Sequence, residues 1–288
     1  MKRVIKTCTF LFVCFCAIFL VLCDQQASAA SKKLSKVPKK VTVYTNENLN
    51  ITKKFKLPYR FKHVDDEYEY TTEELEISTS NSKLEIQTNQ DTSDDSCWEE
   101  RYGFNVGNKT GKCTVTFKYI RHKTTYDEVY NDETEDYETN SKSNDYTEIA
   151  KCIVIIKRYP KLKLDGELIN YNTRDNIYEV YIQNLTSKTI TIYSNAAKAL
   201  DNDYKKFDRK VKLSGHKKYI KIKPGKKKTV RFKVLGRNTW PNIKDTSIYF
   251  NLKYNKKKYK ICVDTTGVYR FSKRKYISLA PKNELAEW

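Results

Sequence analysis

Apolar side chains in this chain recur at every second position, in short runs separated by turn-forming clusters, and that period dictates strands. Between residues 34 and 158 the alternation passes through Val41/Val43, Leu49/Ile51, Phe55/Leu57, Leu75/Ile77, Leu84/Ile86, Phe104/Val106 and Val115/Phe117/Tyr119, and ends in Ile153-Val154-Ile155-Ile156. Most of these segments carry one apolar face, which has to be covered by a second sheet, so the pattern predicts an antiparallel sandwich. Asn46-Glu47-Asn48, Ser80-Asn81-Ser82 and Gly107-Asn108-Lys109-Thr110-Gly111 break the alternation with residues that tolerate turn dihedrals. No segment of this half has the period of a long amphipathic helix.

Residues 160–276 repeat the theme through Tyr178 to Ile182, Thr189 to Tyr193, Tyr219 to Lys223, Thr229 to Val234, Thr246 to Tyr254 and Tyr259 to Val263. Pro224-Gly225 predicts a turn, and Asn255 to Lys258 joins the last two runs as a hairpin. Ser194 to Phe207 is the one stretch that reads as a helical turn or long loop. Residues 277–288 read as a short tail.

Val41-Thr42-Val43-Tyr44, Leu49-Asn50-Ile51, Ser78 to Leu84 and Thr110 to Thr116 follow one another in an order that resembles the bacterial immunoglobulin-like domains of group 2, the invasin and intimin type. In the second half, Ile182-Gln183-Asn184, Lys188-Thr189-Ile190 and Ile222-Lys223-Pro224-Gly225 are similar to extracellular fibronectin-like sandwich modules of bacteria. The resemblance implies two immunoglobulin-like antiparallel β-sandwiches in tandem, all-β, over 34–158 and 160–276. It also implies a stalk or adhesive role. Two acidic stretches, Gln87 to Arg101 and Arg121 to Glu148, exceed that family's compact loops and are expected to be loop insertions.

The first 29 residues read as a cleaved export signal. Lys2, Arg3 and Lys6 precede an apolar run from Thr9 to Leu22, shorter than the roughly 20 residues a bilayer span needs, and Ala27-Ser28-Ala29 forms a small-x-small cleavage site. Cys23 follows Leu22, where lipid-anchored exports carry a small residue, so the expectation is a secreted or surface-held protein without a membrane span.

Charge divides the chain. Residues 30–158 hold 21 Lys/Arg against 23 Asp/Glu, whereas residues 159–288 hold 31 against 11. A domain of net charge +20 attracts polyanions and releases their counterions on contact. The expected partner is an anionic cell-wall or extracellular polymer, met by Lys217, Lys218, Lys226, Lys227, Lys228, Lys256, Lys257 and Lys258, whose clusters interleave with tyrosines. Nothing reads bases, so sequence-specific nucleic-acid binding is not expected. Two other readings stay open: a carbohydrate-binding module using exposed Trp98, Trp240 or tyrosines lined up on one sheet face, and a structural spacer in a surface assembly. The opposite charges of the halves also allow self-association.

Catalytic and metal chemistry find little support. Gly-x-Ser-x-Gly, His-Glu-x-x-His and the phosphate-binding Gly-x-x-x-x-Gly-Lys are missing, and so is Cys-x-x-Cys. The acidic run Asp127 to Glu138 lacks the EF-hand pattern, so no metal or other cofactor is expected. Of the four cysteines beyond the signal, a simple hairpin puts Cys152 opposite about residue 118, roughly 17 Å along the strand from Cys113. Cys97 with Cys113 is therefore the expected disulfide.

Overall fold

Both halves fold as β-sandwiches in a computed structural model that describes residues 32–94, 97–131, 136–201, 208–215, 217–236, 244–273 and 275–286. The expected export signal and Trp240 lie outside the described residues. Among the described residues no helix is long and apolar enough to cross a membrane.

The first sandwich contains β1 (Lys40–Tyr44), β2 (Asn48–Asn50), α1 (Ile51–Phe55), β3 (Arg60–Asp65), β4 (Glu69–Thr79), β5 (Leu84–Asp94), β6 (Cys97–Val106), β7 (Gly111–Asn131), β8 (Asp136–Ser143) and β9 (Tyr146–Lys157). One layer runs β1-β9-β7-β4-β3, and β6 carries β2, β3 and β5 in the other. β3 belongs to both, because Phe61 stands opposite Trp98 and Val64 opposite Thr71. Phe61, Phe104, Phe117, Val115 and Val154 fill the space between. One pairing departs from an antiparallel sandwich: β1 lies parallel to β9, with Val41 opposite Val154.

The second sandwich contains β10 (Leu164–Asn172), β11 (Ile177–Asn184), β12 (Ile190–Asp201), β13 (Asp208–Leu213), β14 (Tyr219–Ile222), β15 (Lys227–Val234), β16 (Thr246–Tyr254), β17 (Lys257–Asp264), β18 (Gly267–Ser272) and β19 (Lys275–Ser278). One layer is β10-β11-β15-β13; the other is β13-β12-β16-β17-β18-β19, with β14 on β12. β13 crosses between layers as β3 does, pairing first with β12 and then with β15. Phe232 stacks on Phe250 at 5.4 Å in the core between them.

Five further expectations change. Ile51 to Phe55 is a helical turn and not part of a strand: Asn50 Oδ1 accepts from Lys53 N at 3.1 Å as N-cap, and Lys56 closes the turn in the left-handed region. Ile51 and Phe55 are buried from one turn, a spacing that period-two alternation also accepts. Ser194 onward stays in strand; β12 runs to Asp201 through a bulge after Tyr193, with Ala196 at φ 59°. Residues 202–207 lie outside the described residues.

The acidic stretches are strands too. β7 and the β8–β9 segment hold one register from Gly111 opposite Ile156, through Arg121 opposite Tyr146, to Asn131 opposite Asp136. Arg121 to Glu148 is thus the far part of a single long hairpin, whose connecting residues 132–135 lie outside the described residues. β5 and β6 likewise pair from Leu84 opposite Val106 to Asp91 opposite Glu99.

The fourth correction is the disulfide. Cys97, Cys113, Cys152 and Cys262 are free thiols. Cys97 starts β6, whereas the Cys113 sulfur sits 3.8 Å from Ser80 Oγ at the turn beside the other end of that strand. Nine residues of strand, about 30 Å, separate those ends, far beyond the reach of a disulfide. Cys152 stands opposite Val115 and is buried beside the strand of Cys113.

The sandwiches meet through a polar, aromatic junction. Tyr44 stacks on Tyr159, and Asn46 Nδ2 donates to Gln183 Oε1 at 3.3 Å. Buried Glu47 accepts from Tyr44 N at 2.8 Å. The described part of the expected short tail, residues 277–286, is packed onto the fold: Lys275–Ser278 forms β19, Leu279 enters the second core, and Asn48 N donates to Lys282 O at 2.9 Å. Glu284 N returns a bond to Asn48 O at 2.8 Å, so residues 282–284 pack against the first sandwich.

Candidate functional site

Strand alternation sorts the lysines of the second sandwich onto an outer face. On β14, Ile220 and Ile222 are buried while Tyr219 and Lys221 are exposed. On β12, Ile190 and Ile192 point inward and leave Thr191 and Tyr193 outside; on β16, buried Leu252 and Tyr254 flank exposed Lys253. Registers then line these residues up across the sheet. Lys221 pairs with Thr191, Thr191 with Lys253, and Lys253 with Lys258. The next row reads Tyr219, Tyr193, Asn251, Lys260, Phe271 and Tyr276.

At an inter-strand spacing near 4.8 Å, Lys221 to Lys258 spans about 14 Å. Ammonium groups lie on ring faces along the second row: Lys221 Nζ is 5.5 Å from the Tyr219 centroid, and Lys260 Nζ is 5.2 Å from that of Phe271. Such contacts are worth about 0.5–1 kcal/mol at exposed sites and hold cation and ring in register. Tyr249 Oη and Tyr276 Oη lie 2.6 Å apart at the edge of this surface. Burial, reinforced by that bond, pushes the Tyr249 phenol well above its usual range.

Two shallow depressions flank the Tyr193–Tyr219 pair. One, about 600 Å³, is lined by Tyr193, Ser194, Lys212, Lys217, Lys218 and Tyr219. The other, about 430 Å³, is lined by Thr191, Tyr193, Tyr219, Lys221, Lys253 and Lys256. Their linings are ammoniums, hydroxyls and ring faces, which suit an anionic chain lying across the strands. A third depression, on the first sandwich, is lined by Lys53, Lys56, Tyr59 and Arg101 among others.

The structure gathers some of the lysines expected from sequence and disperses others. Lys217 and Lys218 line the first depression, Lys256 the second, and Lys258 ends the lysine row. Lys257 sits opposite Tyr254 at the mouth of the hairpin. Lys226 lies in the Pro224-Gly225 turn at the junction, and Lys227 and Lys228 pair with Gln183 and Ile182 on the other layer. Sequence clusters did not reveal Lys212, Lys221, Lys253, Lys260 or Tyr193. The usable signal was a lysine between two apolar residues, as in Ile220-Lys221-Ile222 and Leu252-Lys253-Tyr254.

Trp98 is half-buried, its ring 5.8 Å from Phe61 and 6.4 Å from His63, as part of the first core's rim. No cluster of three or more potential metal-ligating side chains occurs among the described residues.

No protein-family model matches this chain, and no curated protein matches it. Among solved structures, the crystal structure of the YadV chaperone is similar at 9% identity, covering 81% of this chain and 96% of that one, with a TM-score of 0.25.

Proposed function

We propose that this protein is a non-catalytic surface-binding protein whose second sandwich holds an anionic polymer across its outer sheet face. One observation carries this reading: the Lys221, Lys253 and Lys258 row beside the Tyr219, Tyr193, Lys260 and Phe271 row, on five adjacent strands. The export signal read from sequence would put that polymer outside the cell, where anionic wall polymers and acidic polysaccharides occur. Phosphate or carboxylate groups would meet the ammoniums, and sugar or polyol faces would lie on the rings. The carbohydrate-module reading gains support from the same aromatic row and merges with this one if the polymer is an acidic polysaccharide.

The test is retention of the full chain on purified cell wall with and without its anionic polymer, over a salt series. Lys221→Glu/Lys253→Glu/Lys258→Glu is compared with Lys227→Glu/Lys228→Glu/Lys233→Glu on the other layer. Affinity falling steeply with salt, and lost only in the first variant, supports the assignment. Salt-independent retention, or equal losses in both variants, removes it and leaves the spacer reading.

A further inference from the structure

The long hairpin of the first sandwich outruns the sheet it belongs to. Thr125 is the last β7 residue opposite β4, paired with Glu69; from Tyr126 to Asn131 the strand pairs with β8 alone. A two-stranded ribbon is marginal in water without a surface to lie on. This one is uncovered: Val129 and Tyr137 are 49% and 66% exposed, and neighbouring Tyr68 is 60% exposed. Register puts Tyr126, Glu128, Tyr137 and Thr139 on one face, because Tyr126 stands opposite Ser141 and Glu128 opposite Thr139. Tyr68 O accepts from Tyr126 N at 2.9 Å, which brings Asp66 and Glu67 of the β3–β4 turn beside that face. The ribbon thus presents carboxylates and phenol rings, the chemical complement of the lysine and tyrosine rows on the second sandwich.

The ribbon cannot reach the basic face of its own molecule. Gly111, where β7 begins, lies at the junction end, close to Asn108, whose carbonyl accepts from Arg158 Nη2 at 3.3 Å. Fifteen residues of strand put Tyr126 about 50 Å from that end. The tyrosine stack, the Asn46–Gln183 bond and residues 282–284 fix the second sandwich to that same end of the first.

We infer that the β7–β8 ribbon of one molecule docks on the β14-β12-β16-β17 face of a second copy of this chain. The two surfaces differ, and the lysine row lies near the junction, about 50 Å from the ribbon, so the contact between copies is heterologous, head-to-tail. Repetition builds an open chain of molecules. The inference shares the basic face with the polymer reading but does not depend on it; polymer and ribbon compete for one surface.

Sedimentation velocity of the purified full chain tests it, in about 0.01 M salt, where screening extends about 30 Å, and in about 1 M salt, where it extends about 3 Å. Mass should climb past dimer with concentration at low salt and return to monomer at high salt. The ribbon variant Glu67→Lys/Glu128→Lys/Tyr137→Ser and the face variant Lys221→Glu/Lys253→Glu/Lys258→Glu should each be monomeric at low salt. Mixed, they should give a discrete one-to-one complex, since each keeps the surface the other lacks. All six positions are exposed or half-buried, and unchanged melting temperatures confirm that the variants fold. A wild-type chain that stays monomeric at low salt, stops at a closed dimer, or yields variants that do not combine overturns the inference. Retention of the ribbon variant on anionic cell wall is read separately, so loss of assembly is distinguished from loss of polymer binding.

Discussion

The rings of Tyr44 and Tyr159 stack at 4.7 Å with 19° between their planes, one from each sandwich. Tyr159 is almost fully buried, and burial together with the nearby Glu47 carboxylate raises its phenol well above the usual range. An offset aromatic pair contributes about 0.5–1.5 kcal/mol beyond its buried area. A double-mutant cycle of Tyr44→Leu and Tyr159→Leu, read by denaturant unfolding, should return a coupling energy in that range. Tyr159→Ala should go further and split one cooperative transition into two, as the sandwiches lose their shared contact. A coupling energy near zero would mean the rings are merely adjacent.

Gly225 sits at φ 70° in the turn where Lys226 N donates to Lys223 O at 3.1 Å, the geometry of a Pro-Gly type II turn. A methyl group there would also run into the guanidinium of Arg158. Gly225→Ala should therefore destabilise the chain by about 1 kcal/mol for the left-handed backbone, with a smaller further cost for displacing the Arg158 guanidinium at the junction. Adding Arg158→Ala should relieve the second part and leave the first. Thermal unfolding of both variants separates the two terms.

The Asn255-Lys256 hairpin loop puts both residues in the left-handed region, at φ 48° and 66°, with Tyr254 opposite Lys257. Asn tolerates that conformation; lysine does not favour it. Lys256→Gly should stabilise the second sandwich by about 1 kcal/mol, a rise of about 2–4 °C in melting temperature for a chain of this size. Because Lys256 lines the candidate site, polymer affinity should fall slightly while stability rises.

Much of the fold was legible because burial and strand period coincide. Val41/Val43, Phe104/Val106 and Val115/Phe117/Tyr119 lie on strands where alternation put them. Ile51 and Phe55 misled because two apolar residues four apart satisfy one helical turn as well as two strand periods. The acidic stretches misled for a different reason: a ribbon exposed on both faces leaves no apolar stripe, so pairing registers alone identify it. The binding face was half legible. Lysine runs stand out in sequence, but runs fall at turns and point in several directions, whereas the assembled row comes from single lysines brought together by strand order.

Cysteine chemistry gives the final prediction. Cys113, Cys152 and Cys262 are buried and Cys97 is half-buried, so a thiol reagent at neutral pH should modify Cys97 first and the other three only on unfolding. Burial pushes the Cys152 thiol up to about 11 from an ordinary value of 9.0, which means the folded chain holds it neutral while the unfolded chain lets it ionise. The contribution to stability is therefore complete below pH 9.0, declines as pH rises, and is gone by about 11. Cys152→Ala removes that dependence. The stability difference between wild type and Cys152→Ala, from urea unfolding at a series of pH values, should be flat up to the lower value and shift against wild type between the two. A difference constant across that window would show that the thiol ionises as readily in the folded chain as in the unfolded one.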